Sequence, residues 1–224
     1  MATIERVPRI ETPSNRFVLH GVSWQQYEAL RALDENYHVR MAYDQGALEM
    51  MSPSEGHEET KRLIRRMIEK LTEELEIPLR SRGATTWKNP ELERALEADE
   101  CYYIKNFPAV AGRRTVDLKT DPPPDLAVEA EYSRSIVDKL PIYASLGIPE
   151  IWRSDGAAII ALHLGADGRY QTQEFSWNLP FLRVAELNRF LLQFDGTDET
   201  AWIRSFRAWV RETFGEQEPS HGHD

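Results

Sequence analysis

Residues 121–131 read DPPPDLAVEAE, and residues 135–152 read SIVDKLPIYASLGIPEIW. Three consecutive prolines make a stiff lead-in to Leu126, Ala127 and Val128, an apolar run of the length of one buried strand. Ile136, Leu140, Tyr143 and Ala144 then recur on one helical face, which predicts a helix over about 135–146. Pro141 inside that span predicts a kink or a late start, and Gly147 stops the helix. Glu150 to Arg153 reads as the next strand. Strand, helix and strand in such close succession mark an α/β chain.

Upstream, Ser54 is placed to cap a long amphipathic helix over 55–76. Leu63, Met67, Leu71 and Leu75 recur every four residues there, with Ile64 and Ile68 beside them, and Pro78 ends the helix. Before it, 37–43 and 47–51 read as a hairpin around Asp44-Gln45-Gly46, and Ser23 caps a helix running to about Leu33. Between the long helix and the prolines, 79–87 and 100–104 read as strands. Asn89-Pro90 opens a short helical turn through Leu96, and 106–120 reads as a loop and hairpin edge. Downstream, 157–164 and 170–175 read as strands. Helices follow over 184–192 and 198–214, the last with a stripe of Trp202, Phe206 and Trp209. The expected organisation is an N-terminal arm at 1–22, one domain at 23–180, helices at 181–214 packed on it, and a disordered tail at 215–224 that holds His221 and His223.

Hydrophobic residues make up 41% of the 224 residues and charged residues 29%, the balance of a soluble globular protein. The lone cysteine, Cys101, forms no internal disulfide and builds no Cys-rich zinc site, which points to a reducing compartment. No leader-like apolar segment and no run long enough for a membrane span is visible, so the expected location is the cytoplasm, without a membrane partner. A net charge of −10 argues against binding nucleic acid by bulk positive charge. It leaves room for a nuclease with a local basic face. The best such face is 61–88, with eight Lys and Arg against four Glu; an ion-paired, solvated helix surface explains the same count.

Phosphate-loop, dinucleotide, nucleophile-elbow and His-Glu-x-x-His signatures are all missing. What stands out is acids at strand ends followed by a lysine. Asp125 and Glu129 lie four apart and share a strand face with Ala127, which Glu131 continues. Lys139 follows on the next helix, Asp99 precedes the strand of Tyr102 and Tyr103, and Glu49 ends the hairpin before the long helix. Converging carboxylates form a hard-oxygen site for Mg²⁺ or Mn²⁺, and a nearby lysine can orient water or offset phosphate charge. Ordinary solvation of strand-end acids is the competing explanation. His57, near a helix start, is more commonly a packed residue than a functional one, and Tyr102, Tyr103, Trp87 and Trp152 read as core.

Several stretches carry a family resemblance. Residues 46–57 (GALEMMSPSEGH), 97–104 (EADECYYI), 121–129 and above all 138–152 resemble the Uma2 family (DUF820), restriction-endonuclease-like proteins of the PD-(D/E)XK nuclease superfamily. The likeness runs from about Ser23 to Phe214. It implies an αβββαβ core with a mixed central sheet, preceded by a helix and hairpin and followed by a helical appendage. It also implies a Mg²⁺- or Mn²⁺-dependent endonuclease acting on DNA. Asp99 falls on the first acid of the motif, after Ala98 where proline is usual, and Glu129 falls on the second. The usual lysine position holds Glu131, so the role passes to Lys139 on the following helix. Glu49 is the additional acid, which makes Asp99, Glu129 and Glu49 the implied metal set. Two further expectations accompany this reading. A homodimer could form through the C-terminal helices, and the nuclease fold could instead serve as a non-catalytic module for binding nucleic acid or protein.

Overall fold

The computed structural model describes residues 15–33, 39–131, 135 and 137–215. Most of the expected arm, the expected tail with its two histidines, and Tyr37 and His38 of the hairpin lie outside the described residues. Among the described residues, six α-helices and two sheets form a mixed α/β fold.

The first sheet is antiparallel and five-stranded. It contains β1 (Asn15–His20), β2 (Arg40–Asp44), β3 (Ala47–Ser52), β5 (Thr86–Asn89) and β6 (Arg94–Glu97), in the order β1-β3-β2-β6-β5. The β2–β3 turn forms because Gln45 and Gly46 both take positive φ (47° and 98°), the mirror-image turn that matches strand twist. The helix α1 (Trp24–Arg31) starts at Ser23 in a capping box with Gln26 and buries Tyr27 against Tyr43. β1 was not expected as a strand. Its sequence, NRFVLH, shows no polar–apolar alternation, and its pairing with β3 defines it.

The second sheet has six strands in the order β11-β10-β9-β8-β7-β4. They are β4 (Arg80–Ser81), β7 (Glu100–Tyr103), β8 (Leu126–Ala130), β9 (Glu150–Ser154), β10 (Ile159–Leu164) and β11 (Tyr170–Gln173). Only β8 and β9 pair in parallel among these described strands, with α4 (Lys139–Ser145) as part of their crossover. With α2 (Glu55–Glu74), the order α2-β4-β7-β8-α4-β9 is the expected αβββαβ core around a mixed sheet.

Three local readings need correction. The single strand expected over 79–87 is two short strands in different sheets, because Gly83 turns the chain at φ +56° between them. The helical turn expected through Leu96 stops after Leu92, and β6 follows. Within the expected loop at 106–120, Phe107–Val110 forms a short helix, α3. Of the kink or late start expected for the helix over 135–146, the structure shows the late start: α4 begins at Lys139, which places Pro141 in its first turn, where a missing N–H costs nothing.

The two faces of the six-stranded sheet build two cores. Leu126, Val128, Tyr102 and Trp152 pack under α2, α5 (Asn188–Gln193) and α6 (Glu199–Phe214). Ala127, Cys101, Tyr103 and Ile151 pack under Ile142 and Tyr143 of α4, together with Trp87 and Leu96 of the other sheet. The helix α4 is thus held between the sheets. Trp202, Ile203, Phe206 and Val210 of α6 are buried within the chain's own core, so the stripe considered for a dimer faces α2. Asp198 caps α6 by accepting from the amides of Thr200 (2.8 Å) and Ala201 (3.0 Å). Asp198→Ala is expected to lower stability by about 1 kcal/mol, measured by urea unfolding. No described helix is long and apolar enough to cross a membrane.

Candidate active site

Asp99 lies in the two-residue link between β6 and β7, where the chain leaves one sheet for the other, and it is 1% exposed. Its Oδ2 accepts from the Ala130 amide at 2.8 Å, which ties it to the end of β8. Its Oδ1 lies 3.0 Å from His57 Nε2. A carboxylate only accepts, so this nitrogen carries the proton. His57 is placed by the first turn of α2, where Ser54 caps its backbone amide. Its Nδ1 is buried and has no hydrogen-bond partner among the described residues. Burial pushes the Asp99 carboxyl up, but the His57 bond, the Lys139 charge and the Ala130 amide outweigh it and hold the group well below the usual range.

Glu129 occupies the next-to-last position of β8, on the face of Ala127 that meets α4. Its Oε2 accepts from Lys139 Nζ at 2.6 Å, and its Oε1 accepts from the Tyr143 hydroxyl. Lys139 opens α4 and Tyr143 follows one turn later, so both reach the same carboxylate. Burial raises the Glu129 carboxyl; Lys139 opposes that, and the neighbouring Asp99 charge adds to it. For Lys139, burial favours the neutral amine, but Glu129 and Asp99 outweigh it and raise the ammonium's affinity for its proton. One cation therefore serves two buried acids.

Further charges lie behind this group. Arg40 of β2 pairs with Glu97, lies 3.9 Å from Glu58, and feels the Asp99 charge. Arg31 reaches Glu97 at 3.3 Å. A cavity of about 310 Å³ opens beside Glu129, Lys139 and Tyr143.

The structure thus brings Asp99, Glu129 and Lys139 together and adds His57 and Tyr143. Glu49 is placed differently. It is 2% exposed, accepts from Arg16 (2.6 Å), from Ser135 Oγ (2.8 and 2.9 Å) and from the Val137 amide (3.2 Å), and so anchors the segment leading to α4. Asp125 belongs to the opposite end of β8, where it accepts from the Ile104 and Asn106 amides. Glu131 accepts from the Ser135 amide at 2.7 Å and lines the cavity. The basic segment is largely committed to the fold. Arg62 and Arg66 clamp Glu199, Arg65 pairs with Glu69, Lys88 with Glu28, and Arg82 donates to the carbonyl of Arg114. Trp87, Tyr102, Tyr103 and Trp152 are buried as core.

Tyr143 and Arg40 were not singled out from the sequence. The i,i+4 spacing of Tyr143 from Lys139 was a usable signal; Arg40 is read only from the tertiary placement of β2. Among the described residues, no three His, Cys, Asp or Glu side chains group as a complete metal ligand set. Two carboxylates are nevertheless a fitting donor set for Mg²⁺, which takes one or two and completes its shell with water and substrate oxygens. A carboxylate oxygen accepts in two directions, and each of these takes one donor from the described residues.

No curated protein matches the chain. The Uma2 family model, described as "Putative restriction endonuclease", matches residues 24–197. That span covers well over half of the sequence and every residue of the buried acid–lysine group, and on it the chain belongs to the Uma2 family.

Proposed function

We propose that this chain is a divalent-cation-dependent endonuclease that hydrolyses DNA phosphodiester bonds at Asp99, Glu129 and Lys139. The observation that carries this reading is the meeting of two buried acids, Asp99 and Glu129, with the partly buried Lys139 at the junction of β7, β8 and α4. Asp99 and Glu129 would hold Mg²⁺ or Mn²⁺. A cation bound there supplies charge that polarises a phosphoryl oxygen and lowers the pKa of a water. The chain's own residues do the rest. Lys139 holds its proton at Nζ beside Glu129 and presents positive charge where negative charge develops on phosphate. His57 and the Ala130 amide fix the orientation of Asp99, and Tyr143 fixes that of Glu129. Glu49 acts as a positioning residue, holding Ser135 and Val137 so that α4 starts where Lys139 meets Glu129.

One observation favours the second reading, a nuclease fold kept as a non-catalytic binding module. All four oxygens of Asp99 and Glu129 already accept from protein donors. Incubation with supercoiled plasmid decides between them. The nuclease reading expects nicking with Mg²⁺ or Mn²⁺ that stops on adding a chelator. No nicking with either cation, and no heat on titrating them into the protein, would overturn the nuclease reading.

A further inference from the structure

We propose that Arg153 is the phosphate-binding side chain of this site. Arg153 lies on β9 in direct register with Glu129 on the parallel strand β8, so both side chains leave the sheet on the same face. Both line the 310 Å³ cavity, together with Lys139 and Tyr143. The two cations of this cavity are in opposite situations. Lys139 is held at 2.6 Å by Glu129. The Arg153 guanidinium has no hydrogen-bond or ion-pair partner among the described residues.

That freedom is notable because three acids line the same cavity, and each is engaged elsewhere. Glu129 is taken by Lys139 and Tyr143, Glu131 by the Ser135 amide, and Asp138 by the Leu140 amide that it caps. The fold thus keeps a guanidinium available in a concave site beside the acid pair. A guanidinium presents its N–H donors as a rigid planar fork, which matches two oxygens of one phosphate and is less strongly hydrated than an ammonium. Walls formed by Val137, Leu140 and Ile151 lower the local dielectric and strengthen such a pair. Most other basic residues described near the site are already committed to carboxylates, so Arg153 adds uncommitted positive charge beside the acid pair. The role assigned is positioning of a phosphate of the substrate against Glu129 and Lys139, and its DNA arm rests on the nuclease reading above.

The test measures binding in the presence of chelator, where no bond is cut. A fluorescent duplex oligonucleotide is titrated with the wild-type chain, Arg153→Gln, Arg153→Lys and, as a control on a remote exposed turn, Arg169→Gln. Arg153→Gln should weaken binding by about five- to tenfold on duplexes of different sequence and reduce the salt-dependence slope by about one. Arg153→Lys should keep the slope and lose part of the affinity, because charge remains and the fork does not. Arg169→Gln should bind as wild type. Thermal melting of each variant shows whether the fold is kept. Unchanged affinity and slope in a folded Arg153→Gln would overturn the assignment. Inorganic phosphate, titrated calorimetrically, separates the two readings. If the wild type binds phosphate through Arg153 but binds no duplex, or binds duplex through Arg153 without nicking plasmid, the anion site stands and the nuclease reading falls. If the wild type binds neither probe, the anion site falls.

Discussion

Lys139→Met is expected to slow plasmid nicking by about 10²–10³ while changing side-chain volume little. In the structure its ammonium is the cation shared by two buried carboxylates, 2.6 Å from Glu129 and felt by Asp99. Removing it takes positive charge from the place where a phosphate would gain negative charge. It also leaves Glu129 and Asp99, both buried, as neighbouring like charges. Breaking a buried pair in this way costs about 3–5 kcal/mol if the remaining charge persists. The Glu129 carboxyl already binds its proton more tightly than an ordinary glutamate, through burial and the Asp99 charge, so it is the acid that would neutralise. A neutral Glu129 is a poorer ligand for a cation, and the variant should therefore need more Mg²⁺ for half-maximal nicking. The double variant Glu129→Gln/Lys139→Met isolates the pair. If the two groups act as described, it should be more stable than Lys139→Met in urea unfolding and no more active. A Lys139→Met protein that nicks at the wild-type rate would remove Lys139 from the site.

The second large effect lies away from the chemistry. Glu150→Ala should destabilise the fold by about 3–5 kcal/mol, because Glu150 is fully buried at the start of β9 and organises the segment after β11. One of its oxygens accepts from Trp152 Nε1 at 2.8 Å. The other accepts from Ser176 Oγ (3.1 Å), the Asn178 amide (3.0 Å) and Asn178 Nδ2 (2.8 Å). Truncation leaves those donors buried without an acceptor. A fall in Tm on the order of 10 °C is expected for a chain of this size. Burial raises the Glu150 carboxyl, but the His163 imidazole, Trp152, Asn178 and Ser176 outweigh it, and the group lies below the usual carboxylate range. A depressed pKa contributes stability above the unfolded-state value of about 4.3, and that contribution is lost as pH falls through the lower folded value. The gap between wild type and Glu150→Ala should therefore be widest at neutral pH and narrow in acid. A gap that is constant from neutral pH to below pH 4 would contradict this account of the network.

Much of the fold was legible because its core elements carry strong local signals. The four-residue leucine and methionine repeat defines α2, and the prolines and apolar run define β8. The partners of a strand are not local. Nothing within 79–87 says that its two ends join different sheets, and nothing within 15–20 says that β3 will pair with it. The site follows the same division. Asp99, Glu129 and Lys139 stand at element ends that the sequence marks, and family likeness picks them out. Glu49 carries the same local marks, yet its neighbours are Arg16, Ser135 and Val137, because side-chain direction depends on a hairpin whose orientation no short stretch encodes. The buried partners of Glu150 come from residues 176–178 and are visible only once that segment has folded back.

Asp99 stands in a two-residue link between strands of different sheets, whereas Glu129 belongs wholly to one of them. The Ala130 amide and the Glu100–Val128 pairing nevertheless lock Asp99 to β8, so the two carboxylates travel as one unit with the six-stranded sheet.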